Sequence, residues 1–289
     1  MPFTPADALK ALSAVSSLID GTALIYNKYN LEPVVGSLAF QELQTEPYKC
    51  EVNDSHARGL LAIESASDHL MVVADAFSPP AKTIAPWTCV RGLMEACAIA
   101  LWLLDPAIDA KTRVGRTFAY RYWGFKEQLK LFKISEDQPD GDKIIQRMDE
   151  VERRALALGY LPVLTKNGER NGIGQQMPSI VGLMKETLDM EKDYRLLSAV
   201  AHCHDWATHQ IGFQLIEVTN SAGEKIKALE KKLHPDLVFY AMLVAVPTYC
   251  KTLWSLWQYF GWDSDDLISL FEQIYDRVGF STPLRFWRQ

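Results

Sequence analysis

Apolar side chains in this chain recur every three or four residues over long stretches, which is the spacing of one face of an α-helix. Glycine and proline are concentrated between those stretches, where they end helices. Thr4 followed by Pro5 is a helix start signal, and Gly261 is a stop signal. The pattern predicts an all-α fold, a helical bundle with peripheral helices.

The periodic stretches also set the expected boundaries of the elements. Helices are predicted over 4–30, 53–77, 86–104, 109–132, 142–158, from 179 for a short distance, and over 191–210, 235–260 and 264–278. A polar break is predicted at 135–141 and a loop at 166–174. Alternation over 212–218 predicts a strand and turn, which can pair as one short β-hairpin near 211–229. Because no linker is long, we expect a single domain over 1–289.

Composition narrows the class of protein. Apolar residues are 48% and charged residues 23% of the chain, as in ordinary globular proteins. The start lacks the pattern of a signal peptide, and the longest uncharged run, Leu237–Cys250, is 14 residues, short of the roughly 20 that cross a bilayer. The five cysteines include no Cys-x-x-Cys pair, which argues against a disulfide framework or a zinc knuckle. We therefore expect a cytoplasmic protein with no membrane segment and no cofactor.

One predicted helix combines reactive side chains on a single face. Tyr194, Ser198 and His202 recur every four residues, so they form a stripe. Arg195 and His202 are seven residues apart, which at 100° per residue brings them to within about 20° of each other. An arginine that can hold a phosphate and a histidine that can move a proton would then share a face. The alternative is that Arg195 pairs with a carboxylate and that His202 is a hydrogen-bonded core histidine.

The spacing of arginine, six residues and histidine from Arg195 to His202 resembles the motif of the HEPN ribonucleases, which are all-α bundles. The resemblance implies a HEPN-like core over about 53–260, RNA as a partner and metal-independent RNA cleavage of the toxin or defence type. His202 would be the general acid or base, Arg195 would hold the scissile phosphate, and Tyr194 and Ser198 would support them. It also implies a homodimer, and a toxin would have a neutralising partner protein. Leu196 departs from the motif, because many active members have a polar residue after the arginine.

Charged residues on two other predicted helices are candidates for the same site. Arg91 and Glu95 are four residues apart in an apolar stretch, and Glu64 lies on the preceding helix. One interpretation is an intrahelical ion pair between Arg91 and Glu95, since buried charges are seldom unpaired. The other is that all three converge on the stripe of Tyr194, Ser198 and His202 to form a polar pocket.

The predicted helix over 109–132 is basic and aromatic. Residues 111–133 carry seven basic side chains and one acidic one, a net charge of +6 in a chain of net charge −6. Interleaved cations and rings suit a single-stranded nucleic acid, so Arg113, Arg116 and Arg121 are candidate RNA contacts. The alternative is an amphipathic helix that has its aromatic rings in the core and its charges in water.

A metal site is the weakest hypothesis. On one continuous helix, His202 and Asp205 would be three residues apart and Asp205 and His209 four apart, so neighbouring pairs could share an ion. His202 and His209 would be about 10 Å apart, too far for both to bind one ion directly. Three functions stay open: a HEPN-like RNA-binding protein or endoribonuclease, a non-catalytic protein that binds a small ligand or a partner, and a metal-dependent enzyme.

Overall fold

The computed structural model describes residues 4–78, 80–135 and 138–278, and within these ranges the fold is all-α. The helices are α1 (Pro5–Tyr29), α2 (Leu38–Leu43), α3 (Lys49–Phe77), α4 (Ala85–Leu103), α5 (Ala110–Ser135), α6 (Gln138–Ala157), α7 (Ile180–Leu183), α8 (Glu191–Ala201), α9 (Asp205–Gly212), α10 (Pro235–Phe260) and α11 (Ser264–Val278). A π-helical turn, Met184–Leu188, follows α7. Two antiparallel hairpins complete the regular structure: β1 (Pro162–Leu164) with β2 (Arg170–Ile173), and β3 (Phe213–Thr219) with β4 (Lys225–Lys231).

Local signals in the sequence set the ends of the long helices. Thr4 and Asp7 form a reciprocal capping box at the start of α1, in which each side chain accepts the other residue's backbone N–H. At the other end of α1, Asn30 has the left-handed conformation, with φ 49°. Gly261 ends α10 in the same way, with φ 69°. The predicted hairpin near 211–229 is also confirmed, since Val218 pairs with Ile226 across β3 and β4.

The main hydrophobic core lies where α3, α4 and α10 pack together. Its largest buried side chains include Trp87, Trp102 and Trp257. Helix α8 packs on α4, and α1 packs on both α3 and α11. A second, smaller cluster joins α5 and α6 to β2 through Phe118, Val151 and other apolar residues. The contact of α8 with α4 is the one that positions the candidate functional site.

Three predicted boundaries were wrong. The stretch 191–210 is not one helix: it bends at 202–204, where Cys203 has a φ of 55°, so α8 and α9 are separate. The predicted break at 135–141 is too long, because α6 already begins at Gln138, and residues 136–137 lie outside the described part of the chain. The predicted loop at 166–174 contains the strand β2, which pairs with β1. All three errors concern short segments between longer helices.

Two helical stretches, Leu9–Tyr29 and Pro235–Phe260, are long and apolar enough to cross a membrane by length and composition. In this fold 61% of the most apolar window of α10 is buried inside the protein, against 39% for the stretch in α1. Apolar core helices pass the same test, so the result is weak evidence for a membrane segment.

We predict that Gly59→Ala lowers the free energy of unfolding by about 1–3 kcal/mol, because the new methyl group overpacks the contact between α3 and α4. A Cβ atom at Gly59 would lie 2.4 Å from Cγ of Leu104, which is 1% exposed and has little room to move. Chemical denaturation of the purified protein measures the change.

Gly124→Ala on α5 is the matched control. Its Cβ atom would meet nothing within 4 Å. Since alanine is favoured over glycine inside a helix, we expect a gain of about 0.5–1 kcal/mol. Equal effects of the two substitutions would contradict this account of the packing of α3 on α4.

Candidate functional site

The contact of α8 with α4 brings together four of the predicted site residues. Arg91 and Glu95 lie one turn apart on α4, Tyr194 lies on α8, and His202 caps the end of α8. We call these four residues the Arg91–His202 cluster. Their joint position depends on the register of two helices that are about a hundred residues apart in the chain.

Two hydrogen bonds fix the Arg91 guanidinium at this seam, and the one to Glu95 is also an ion pair. Its Nε donates to Oε1 of Glu95 at 2.9 Å, and its Nη2 donates to the Tyr194 hydroxyl oxygen at 3.4 Å. The Tyr194 hydroxyl in turn donates to Oε1 of Glu95 at 2.8 Å. The Arg91 side chain is 23% exposed, so it is partly shielded but still accessible to a ligand. The third guanidinium nitrogen, Nη1, is turned toward His202.

His202 is an exposed side chain rather than a core histidine, so that part of the alternative interpretation is wrong. Nη1 of Arg91 donates to Nε2 of His202 at 3.5 Å. This contact requires Nε2 to carry a lone pair, which makes it the ring nitrogen that can accept a proton. A guanidinium donor and a proton acceptor therefore lie side by side at the protein surface.

The surroundings of Tyr194 and Arg91 keep the tyrosine hydroxyl protonated and the guanidinium charged. Burial, together with the hydrogen bond to Glu95, raises the pKa of Tyr194, so its hydroxyl remains a donor at neutral pH. Burial acts to lower the pKa of Arg91, but Glu95 and Tyr194 raise it by more, so the net shift is upward. The guanidinium therefore keeps its charge.

Arg195 lies outside this hydrogen-bonded cluster. Its side chain is 65% exposed and pairs with Glu191 one turn earlier on α8, with a distance of 2.8 Å from Nη2 to Oε1. This is the carboxylate pairing that the alternative interpretation described. Such exposed pairs contribute little stability, so Arg195 can exchange Glu191 for another anion. Arg195 lies seven positions before His202, roughly 10 Å away along the helix axis.

The other two predicted members of the pocket are placed differently. Ser198 is partly buried, and its carbonyl oxygen accepts the backbone N–H of His202 at 3.0 Å, which extends the regular helix to His202. Glu64 is exposed on α3. Its charge adds to the effect of burial in raising the pKa of Tyr26 and Tyr249. The structure therefore does not bring Glu64 to the cluster through any contact of the described residues.

The arginines of α5 are engaged inside the protein, which corrects the prediction that Arg113 contacts RNA. Arg113 is completely buried and pairs with Glu42, at 2.7 Å from Nε to Oε2. Arg116 is 12% exposed and donates to the carbonyl oxygen of Trp102 at 2.6 Å. Arg121 is 23% exposed and lies 3.4 Å from a carboxylate oxygen of Asp54. The three arginines of this basic stretch thus pair with carboxylates and carbonyl groups of the protein itself.

The candidate metal ligands do not form a set. Asp205 and His209 pair across one turn of α9 at 3.3 Å, but His202 precedes the bend that separates α8 from α9. Within the described ranges no three His, Cys, Asp or Glu side chains are grouped so that they could hold a metal ion. The described residues therefore give the hypothesis of a metal-dependent enzyme no set of ligands.

Sequence reasoning missed a buried polar chain formed by His56, Tyr259, Glu42 and Arg113. His56 and Tyr259 are separated by 203 positions, yet Nε2 of His56 lies 2.8 Å from the Tyr259 hydroxyl. No local motif marks such a pair. The one available signal was a histidine on a helix face that is otherwise apolar.

Comparison of the chain with protein-family models, with curated proteins and with solved structures found no match.

We predict that Arg113→Met destabilises the fold by about 3 kcal/mol or more, because it leaves the largely buried Glu42 carboxylate without its cation. The Glu42 side chain is only 12% exposed. Urea denaturation of both proteins measures the difference in the free energy of unfolding.

Lys130→Met is the control, because it removes a cation from the same helix that is 64% exposed. We expect its effect to stay within about 0.5 kcal/mol. A small effect at both positions would show that Arg113 is not a structural residue.

Proposed function

We propose that this protein binds phosphate groups at the Arg91–His202 cluster and cleaves RNA there without a metal ion. The observation that carries the proposal is the placement of a fixed guanidinium 3.5 Å from an exposed imidazole nitrogen. Guanidinium recognises phosphate through paired N–H donors, and histidine is the usual group for proton transfer near neutral pH. The HEPN-like spacing of Arg195 and His202 supports the choice of RNA over other phosphodiesters.

Arg91 is the phosphate ligand in this proposal, and Arg195 is an outer cation. Glu95 and Tyr194 accept from Nε and Nη2 of Arg91, and His202 accepts from Nη1, which has a second N–H that we assign to the phosphate. A guanidinium that is already oriented needs little reorganisation when charge develops on the substrate. Arg195 has no such support, since its one described partner, Glu191, is itself exposed.

The chemistry follows from this arrangement. When Nη1 of Arg91 turns from His202 to the phosphate, the lone pair of Nε2 is freed. Nε2 then takes the proton of the RNA 2′-hydroxyl, and the 2′-oxygen forms a bond to the adjacent phosphorus. The bond from phosphorus to the 5′-oxygen breaks, and that oxygen takes a proton from solvent. Arg91 neutralises the charge that develops on the non-bridging oxygens. The products are a 2′,3′-cyclic phosphate and a free 5′-hydroxyl.

A second candidate is binding of a small phosphorylated molecule without catalysis. The observation that favours it is the internal placement of Arg113, Arg116 and Arg121, which leaves α5 without the arginine surface predicted for RNA. The same Arg91–His202 cluster would then hold one phosphate group rather than a polynucleotide.

We predict that His202→Gln lowers the rate of RNA cleavage by about 10²–10⁴-fold, the usual loss for a general base. Arg91→Gln should cost about 10²–10³-fold, as expected for a group that stabilises developing charge. Arg195→Gln should lose less than about tenfold. Single-turnover cleavage of a fluorescent oligoribonucleotide, with chelator present, measures all three rates.

The control is His234→Gln, an exposed histidine at the start of α10, which should cleave like the wild type. Cleavage that is equal in all variants would mark a contaminating nuclease and overturn the catalytic proposal. No cleavage by the wild type, together with binding of inorganic phosphate that Arg91→Gln abolishes, would decide for the second candidate.

A further inference from the structure

A cavity of about 380 Å³ lies between the segment 31–33, helix α2 and helix α3. It shares no residue with the Arg91–His202 cluster. Its volume falls within the range of about 300–1,000 Å³ that small-molecule sites occupy. Seven of its eleven lining residues are apolar, among them Phe40, Leu60 and Phe260, and the polar ones are Glu32, Gln44, Asn53 and His56.

Two hydrogen bonds hold the segment on the outer side of the cavity. The backbone N–H of Val34 donates to the carbonyl oxygen of Phe260 at 2.9 Å. The indole N–H of Trp262 donates to the carbonyl oxygen of Glu32 at 2.7 Å. Both bonds attach the segment to the end of α10, so the cavity is preformed.

One buried polar side chain, His56, contributes to the apolar wall. It is 5% exposed and belongs to the cavity lining. Its Nε2 lies 2.8 Å from the hydroxyl oxygen of Tyr259, and that hydroxyl lies 2.6 Å from Oε2 of Glu42. Arg113 completes the chain with its bond from Nε to Oε2 of Glu42, at 2.7 Å.

The pairing of Glu42 with Arg113 determines which atom donates in each hydrogen bond from Glu42 to His56. Oε2 of Glu42 accepts from the buried guanidinium of Arg113, and the Tyr259 hydroxyl donates to the same oxygen. A hydroxyl has one proton, so the Tyr259 oxygen is left to accept from His56. Nε2 of His56 therefore carries the ring proton, and Nδ1 carries a lone pair.

His56 stays neutral in this position. Burial, with a further contribution from Arg113, lowers the pKa of His56 to about 3. The ring is thus a hydrogen-bond acceptor at physiological pH and not a cation or a proton carrier. The described hydrogen bond of the ring is made by Nε2, so the lone pair of Nδ1 is available to a donor that enters the cavity.

We propose that this cavity binds a small neutral molecule that has an apolar body and one N–H or O–H group, which donates to Nδ1 of His56. The apolar walls select the body of the ligand, and the fixed lone pair selects its donor. An anion is disfavoured because Glu32 lines the cavity, and a site that offers a neutral acceptor gives no compensation for a desolvated charge.

Indole and 1-methylindole are the probes for this proposal, because they have almost the same apolar body and differ in the N–H donor. We expect indole to bind at least about tenfold more tightly, the effect of one hydrogen bond to a buried acceptor. Titration of the full-length protein by calorimetry measures both affinities. Long-range ¹⁵N–¹H spectra of the histidine side chains should show Nε2 of His56 protonated, and the Nδ1 resonance should shift when indole binds.

Ala57→Phe places a ring at the exposed edge of the cavity and should abolish indole binding. Ser65→Phe adds the same ring two turns further along α3, at an exposed position outside the cavity lining, and should bind indole like the wild type. An unchanged melting temperature in both variants shows that they fold.

Absence of indole binding to the wild type would overturn the proposal. Equal affinity for the two probes, or a proton on Nδ1 of His56 in the free protein, would also overturn it.

Discussion

The buried side chain of Arg113 is the interaction on which the rest of this fold depends. Its guanidinium donates to the Glu42 carboxylate and to the carbonyl oxygens of Leu103 and Asp105, and it lies 3.9 Å from the centre of the Tyr259 ring. Those two carbonyl groups belong to the end of α4 and the turn after it, where a helix leaves acceptors without partners. One cation thereby joins α2, α4, α5 and α10. The desolvation of that cation is tolerable only because each of its nitrogens has a partner.

The two candidate sites lie on different parts of the framework that α3, α4 and α10 form. The Arg91–His202 cluster occupies the seam of α4 and α8, where the guanidinium is partly exposed and its Nη1 lies beside His202. The His56 cavity borders α3 near the end of α10 and is attached to Arg113 through Tyr259 and Glu42. In the second site the charges of Arg113 and Glu42 are paired and buried, so the site suits a neutral molecule. In the first site Arg91 also pairs with a carboxylate, Glu95, but that pair is partly exposed, so an anion can reach the guanidinium.

Much of the architecture could be predicted because local chemistry decides it. The Thr4 capping box, the left-handed residue at Gly261 and the apolar periodicity of α10 each act over a few neighbouring residues, and all were readable in the sequence. The bend at Cys203 could not be predicted from the sequence, because a non-glycine residue with φ 55° gives no local signal. The pair of Arg91 and Glu95 followed from helical spacing, but its contact with Tyr194 required the packing of α8 on α4.

The sequence by itself determined the helical class, the long helices and the position of the arginine and histidine on α8. Only the tertiary structure decided which charges are available for chemistry. Arg113 and Arg195 look alike in the sequence, yet one is fully buried against Glu42 and the other is 65% exposed. Helical periodicity reports which residues share a face, whereas the burial of a charge depends on the partners that distant helices bring to it.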